Sequence, residues 1–328
     1  MKLSSRRNSK LGLFLCLIIG TLSLSSAPVW AWQTQTPEEA ILSVNNSVGL
    51  FLVPDQNVNY VEPNGSVSNC ANGGSCLNYS DEESGGLFGD GFSLSYMSQK
   101  MKLYAHLSYQ FASGHLNYNG ATQAGTPVQD TSGARIGDWD FKFGKGFSLT
   151  EDDRLLLTPY LEFGNHFWQR DLGLGTAGQY GEDYQNDYLD AGAMLQYVPP
   201  IHILHKHDLV FSGDAGIGET ISPNITVPRV SPPMPSNAAL GQEPFIRLGL
   251  EADWHALSAM WVFVGYHYTY FSYFPSQIYN NPVNGVAEEP TSFTNYNTYT
   301  LGVKIPFAGF PVIARGIANA ADSPSSKD

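Results

Sequence analysis

Charge is scarce in this chain. Asp, Glu, Lys and Arg together make up 14 % of its 328 residues, against about 25 % in an ordinary soluble domain. Basic residues are scarcer still, 17 against 30 acidic ones, for a net charge of −13. That balance excludes a nucleic-acid partner, whose phosphates call for clustered Lys and Arg. Cysteine is nearly absent, with three in all. Cys16 falls in the leading apolar run, which leaves Cys70 and Cys76 in Cys-Ala-Asn-Gly-Gly-Ser-Cys. Two cysteines without a neighbouring histidine make a poor metal site, and no metal or other cofactor is expected. Beyond residue 31 no apolar run approaches the ~20 residues that a spanning helix needs. A membrane form of the mature chain must therefore be a closed barrel, whose backbone groups pair with one another inside lipid.

The N-terminus sets the compartment. Lys2, Arg6, Arg7 and Lys10 precede the apolar run Leu11 to Leu24, followed by Ala27-Pro28-Val29-Trp30-Ala31. A basic start, a short apolar core and compact residues before the cut make a secretory signal. Residues 1–31 are read as that signal, with cleavage after Ala31; the run is too short for a membrane anchor. The remaining 297 residues carry a net charge of −17. Export permits a disulfide between Cys70 and Cys76. Residues 32–46 read as a polar periplasmic lead-in with one helical turn at Pro37-Glu38-Glu39-Ala40.

From Ser47 to Phe307 the dominant signal is alternation with a period of two, the mark of strands. Ile246, Leu248, Leu250, Ala252 and Trp254 share one face, opposite Arg247, Gly249, Glu251 and Asp253. Val262, Val264, Tyr266, Tyr268 and Tyr270 continue the apolar face after a short turn. The same pattern recurs about ten times. Short links near 99, 151, 202 and 258 alternate with long loops at 62–86, 119–133, 173–183, 223–242 and 275–291. Ser47 to Val61 is the weakest strand, since Pro54 interrupts it.

Two folds fit alternating strands. A soluble sandwich would show the charged face to water. A transmembrane antiparallel up-and-down β-barrel of about ten strands (8–12) would turn that face into its lumen. Three features favour the barrel: aromatics at the strand ends of the apolar face, loops of alternating length, and glycines on the charged face, where a narrow barrel is crowded. The barrel is assigned residues 47–307, and 308–328 form a C-terminal tail.

Tyr299, Leu301, Val303, Ile305 and Phe307 close the pattern. This ending resembles the C-terminal assembly signal of small Gram-negative outer-membrane β-barrel (porin-like) proteins, although 21 residues follow Phe307. Thr158 to Gly164 and the Gly-Glu-Asp-Tyr at 181–184 are similar in style to that family. The resemblance implies an outer-membrane location, contact with outer-membrane lipid and lipopolysaccharide, and insertion by the barrel assembly machinery. It leaves open an extracellular ligand or small solute.

The charged face carries Asp138, Asp140, Lys142, Glu162, Arg170, Asp190, Asp214, Arg247, Glu251, Asp253 and Lys304, with Lys102 and the histidines 106, 166 and 267 beside them. Ions inside a narrow barrel must be paired, so a packed ion network is expected to fill most of the lumen. A narrow polar conduit for small solutes is the second reading. The third is proteolysis at the rim. Ten-stranded omptins use an Asp pair and an Asp-His pair, and Asp138-Trp139-Asp140 and Asp253-Trp254-His255 are similar in spacing. The strand topology sets these pairs about 20 Å apart, so no catalytic residues are assigned. His202, His205 and His207 read as a solvated turn, and Asp81-Glu82-Glu83, Glu182-Asp183 and Glu288-Glu289 as solvated acidic loops.

Overall fold

The computed structural model describes residues 36–67, 78–121, 126–174, 180–201, 209–227, 238–257, 259–277, 279–281, 285–287 and 289–309. The signal, the cysteines 70 and 76, the histidines 202, 205 and 207, and the tail beyond residue 309 lie outside the described residues.

Ten long strands form the wall: β1 (Ser47–Val67), β2 (Asn78–Met97), β3 (Leu103–Ala121), β4 (Pro127–Lys145), β5 (Leu155–Leu172), β6 (Tyr180–Tyr197), β7 (Leu209–Thr226), β8 (Pro244–Leu257), β9 (Met260–Tyr273) and β10 (Ser292–Pro306). Each pairs antiparallel with its neighbours, and β10 pairs with β1 to close the ring. Closure leaves no unpaired edge for lipid to meet. Leu50 lies opposite Phe92 on one side and Val303 on the other. A one-residue slip would therefore turn apolar side chains inward and charges into lipid.

The outer apolar face occupies only part of each strand. On β2 it runs from Phe88 to Tyr96, on β5 from Leu155 to Phe163, on β6 from Leu189 to Tyr197, and on β8 from Ile246 to Trp254. Those stretches match the ~9–11 residues that a tilted strand needs to cross the hydrocarbon. Above them the outer face turns polar: Arg135 donates to Gln169 at 2.9 Å, and Asn165 donates to Asp187 at 2.8 Å. The strands thus outrun the membrane band at one end, while short turns close the other.

This overhang corrects the expected loops. Much of 62–86 and 119–133, and the last four residues of 173–183, are paired strand, down to Ala121 opposite Pro127 and Leu172 opposite Tyr180. Outside the hydrocarbon both faces of a strand tolerate polar residues, so the alternation fades while the hydrogen-bond ladder continues. The 223–242 segment contributes Ala238–Ala239 against the end of β7, and 275–291 contains a small hairpin, Tyr279–Asn281 with Gly285–Ala287. Nor does Pro54 weaken β1. The register shifts between Leu52 and Asp55, a bulge that absorbs the missing N–H.

The lead-in is more than one helical turn. Helix α1 (Pro37–Asn45) begins with a capping box, in which the Thr36 hydroxyl accepts from Glu39 N at 3.2 Å and the Glu39 carboxylate accepts from Thr36 N at 2.7 Å. Ala40, Ile41 and Val44 pack inside the short-turn end against Met97, Tyr104, Leu156, Val198, Val210 and Trp261. Asn45 donates to Gln196 at 2.6 Å, and the Trp261 indole donates to Ser43 at 3.0 Å. Lys102, expected in the lumen, instead sits at the β2–β3 turn. There it ties Glu38 of α1 (3.4 Å) to Asp153 (2.7 Å), because strand β3 begins only at Leu103. Thr36→Ala is expected to lower stability by about 1 kcal/mol, the usual worth of an N-cap, read as a shift in urea unfolding.

Candidate functional site

The lumen is built in tiers. Nearest α1, Lys304 of β10 pairs with Glu251 at 2.5 Å and with Asp253 at 2.8 Å, both from β8. One tier up, Lys142 of β4 holds Asp214 of β7 at 2.8 Å and Glu162 of β5 at 3.6 Å. Arg247 of β8 reaches the same Glu162 at 2.6 Å. Tyr160 donates to Asp214 at 2.9 Å, and Ser108 donates to Asp140. Asp190 is buried against Gly216 and Gly218 with no hydrogen-bond partner on either oxygen. Higher still, Asp138 bonds His166 Nδ1 at 2.6 Å, and His166 Nε2 meets the Tyr296 hydroxyl at 3.1 Å.

Between these groups lies a cavity of about 190 Å³, lined by His106, Asp140, Lys142, Asp214, His267 and Lys304 among others. It is smaller than the ~300 Å³ at which small-molecule pockets begin. Buried side chains pack toward both of its ends. The α1 cluster fills the short-turn end. At the other, Tyr60, Trp168, Tyr184, Tyr188, Phe245, Phe271, Tyr273 and Tyr296 form a buried aromatic seal. Tyr188, Phe245 and Phe271 meet at ring separations of 4.7 and 4.8 Å.

Arg170 sits within that seal, not in the lumenal tiers. Its guanidinium lies 4.2 Å from the Tyr60 ring centre and pairs with Glu182 at 2.6 Å and Glu83 at 3.1 Å. With Arg170 and Lys102 committed elsewhere, three bases remain for the seven lumenal acids, and the lumen is more acidic than a near-neutral network. The acidic loops also differ from expectation. Asp81, Glu83 and Glu182 are buried, because the overhanging strands turn alternate residues inward, and Glu289 is buried where its backbone bonds Ser276; Glu288 lies outside the described residues. Glu62 and the aromatic seal were not singled out by the sequence. Their signal was the continued spacing of two through Tyr184, Asn186, Tyr188 and Asp190, all buried on one face.

The two acidic pairs do not converge. Asp138 is held by His166 below the aromatic seal, whereas Asp253 is held by Lys304 and His255 stacks on Trp261 beside α1. Phe307 leaves the wall in a 3-10 turn, and its N–H donates to Asn46 O at 2.9 Å; Tyr299, Leu301, Val303 and Ile305 stay on the outer face of β10. Among the described residues no group of three or more His, Cys, Asp or Glu has metal-binding geometry.

A closed ring of ten antiparallel strands with an apolar exterior and a charged interior defines an outer-membrane β-barrel. Comparison with one solved structure agrees on the fold. The outer-membrane protease OmpT from Escherichia coli aligns over 80 % of this chain and 96 % of its own, with a TM-score of 0.50 and 11 % identity. The P. putida toluene transporter TodX aligns over 83 % of this chain and 93 % of its own, with a TM-score of 0.29 and 10 % identity. The beta domain of the Bordetella autotransporter BrkA aligns over 80 % of this chain and all of its own, with a TM-score of 0.31 and 12 % identity. No protein-family model matches the chain, and no curated protein matches it in sequence.

Proposed function

We propose that this chain is an integral outer-membrane protein with a structural or surface-interaction role and a lumen that is closed at rest. It would be exported by a signal cleaved after Ala31 and inserted by the barrel assembly machinery. Lipid and lipopolysaccharide would surround its apolar band, with α1 toward the periplasm and the strand overhang outside. One observation carries this reading: buried side chains cluster at both ends of the lumen, around α1 at one and in the aromatic seal at the other. No chemistry is assigned to the interior. Asp138 and Asp253 answer to different partners, and no water-activating pair forms between their tiers.

The second reading is a narrow conduit for small solutes. The central cavity favours it, because removing α1 would join that cavity to the periplasm. Planar-bilayer recording of the refolded mature chain separates the two. The full chain is expected to be silent, and a variant lacking residues 32–46 is expected to conduct in steps only once the aromatic seal is also breached. Steps from the unaltered chain that persist through Arg247→Ala and Glu251→Ala would overturn the closed reading in favour of the conduit.

A further inference from the structure

Among the described residues, five carboxylates turn toward the aromatic seal and one cation pairs with two of them. Glu62 on β1, Asp81 and Glu83 on β2, Glu182 on β6 and Glu289 just before β10 are each less than a tenth exposed. Arg170 on β5 pairs with Glu182 and Glu83. The remaining titratable neighbours are Tyr60 on β1, Tyr118 on β3, Tyr180 and Tyr184 on β6, Tyr273 on β9 and Tyr296 on β10, with Asp138 and His166 beneath.

Proton supply in this cluster falls short. The Tyr184 hydroxyl lies 2.6 Å from Glu289, 3.4 Å from Glu62 and 3.0 Å from the Tyr60 hydroxyl, which itself bonds Glu62. Each tyrosine has a single proton to give, so two hydroxyls cannot donate across all four contacts. Glu83 Oε2, also fully buried, has no hydrogen-bond partner either. A carboxyl proton on Glu62 or Glu289 supplies a missing donor at the Tyr60 and Tyr184 hydroxyls.

We propose that the outer seal is a proton-operated latch, in which carboxyl protons shared among Glu62, Glu182 and Glu289 hold the aromatic cluster shut and their loss loosens it. All three lie beyond the membrane-spanning band, on the strand overhang or the segment leading into β10. Burial pushes Glu289 well above the usual carboxylate range, and the neighbouring Glu62 and Glu182 push it further. Burial likewise raises Glu182 to about 7, against the pull of Arg170. Acids raised in this way bind more protons in the closed seal than in water. The closed state is therefore most stable below the ordinary Glu value of about 4.3 and weakens as pH climbs through the raised values. Each proton released shifts the closed-to-open balance by about tenfold per pH unit.

The test is the temperature at which the folded mature chain shifts its gel mobility on heating, read at pH 5, 7 and 9. The unaltered chain is expected to shift at progressively lower temperature as pH rises. The Glu62→Gln/Glu182→Gln/Glu289→Gln variant, neutral at those three positions at every pH, is expected to keep its pH 5 value at pH 9. A flat unaltered chain, or a variant that falls in parallel with it, would overturn the latch. So would recovery of the unaltered chain at pH 9 by millimolar calcium, which would assign the acids to a metal ion. Should that variant not fold, Glu289→Gln alone must reduce the pH response; an undiminished response would be equally fatal. The outcome is separable from the closed-lumen reading, since a conducting chain could still show the pH-dependent midpoint.

Discussion

Arg170→Ala is expected to destabilise the barrel by about 3–5 kcal/mol, the cost of removing one partner from a buried ion pair. The side chain is 2 % exposed and Glu83 is fully shielded, so water cannot replace the guanidinium. Two carboxylates would lose their cation together, Glu182 at 2.6 Å and Glu83 at 3.1 Å. The rings of Tyr60 and Trp168 would also lose the cation over their faces, at 4.2 and 5.2 Å. Urea unfolding of the refolded barrel measures the loss. The cost should shrink when Glu83→Gln and Glu182→Gln are added, because the orphaned charges then disappear. It should also shrink at pH 5, where Glu182, raised to about 7 by burial, takes up a proton whether or not Arg170 is present. A loss that ignores both manipulations would mean that Arg170 acts only as filler between the rings.

That pairing was hidden from the sequence for a physical reason. Within the membrane band one face meets hydrocarbon and the other the lumen, so alternation is strict and Arg247, Glu251 and Asp253 could be placed inside from spacing alone. Their partners lie on other strands: Arg247 and Lys142 both reach Glu162, and Glu251 and Asp253 pair with Lys304. Above the band lipid no longer polices the outer face. Glu62, Glu83 and Glu182 therefore read as loop acids, although the strand ladder carries them inward. Helix α1 was legible at its capped start and not at its buried end. Ala40, Ile41 and Val44 give a narrow apolar stripe in nine residues, and only the barrel mouth around it supplies the other half of the core. The aromatic cluster joins side chains from strands far apart in sequence, such as Tyr60, Tyr184 and Tyr273, and no local pattern announces it.

Gly192→Val is expected to damage the wall severely, and Gly213→Val, on the next strand, to be nearly silent. Gly192 faces the lumen directly opposite Tyr160 on the paired strand. A Cβ there would stand 2.5 Å from the Tyr160 hydroxyl, 2.6 Å from the ring and 2.5 Å from the Ala215 carbonyl. The ring could swing away, but the carbonyl belongs to β7 and cannot move without breaking the ladder. Displacing Tyr160 also removes its hydrogen bond to Asp214 at 2.9 Å and the ring under Lys142, so the middle ion tier loses its packing. Overpacking of this kind costs about 1–3 kcal/mol for an added group that neighbours can accommodate. Here the backbone contact puts the expectation at or above the top of that range. Gly213 faces outward, where a Cβ would meet nothing closer than Leu250 at 3.5 Å, an ordinary contact. Valine suits a lipid-facing strand position better than glycine does, so that variant should fold as well as the unaltered chain or slightly better. The measurement is the folded fraction after refolding, read by heat-dependent gel mobility and confirmed by urea unfolding. Equal losses from the two variants would mean that glycine is needed in these strands for backbone freedom, and that the fit of Tyr160 against Gly192 contributes little.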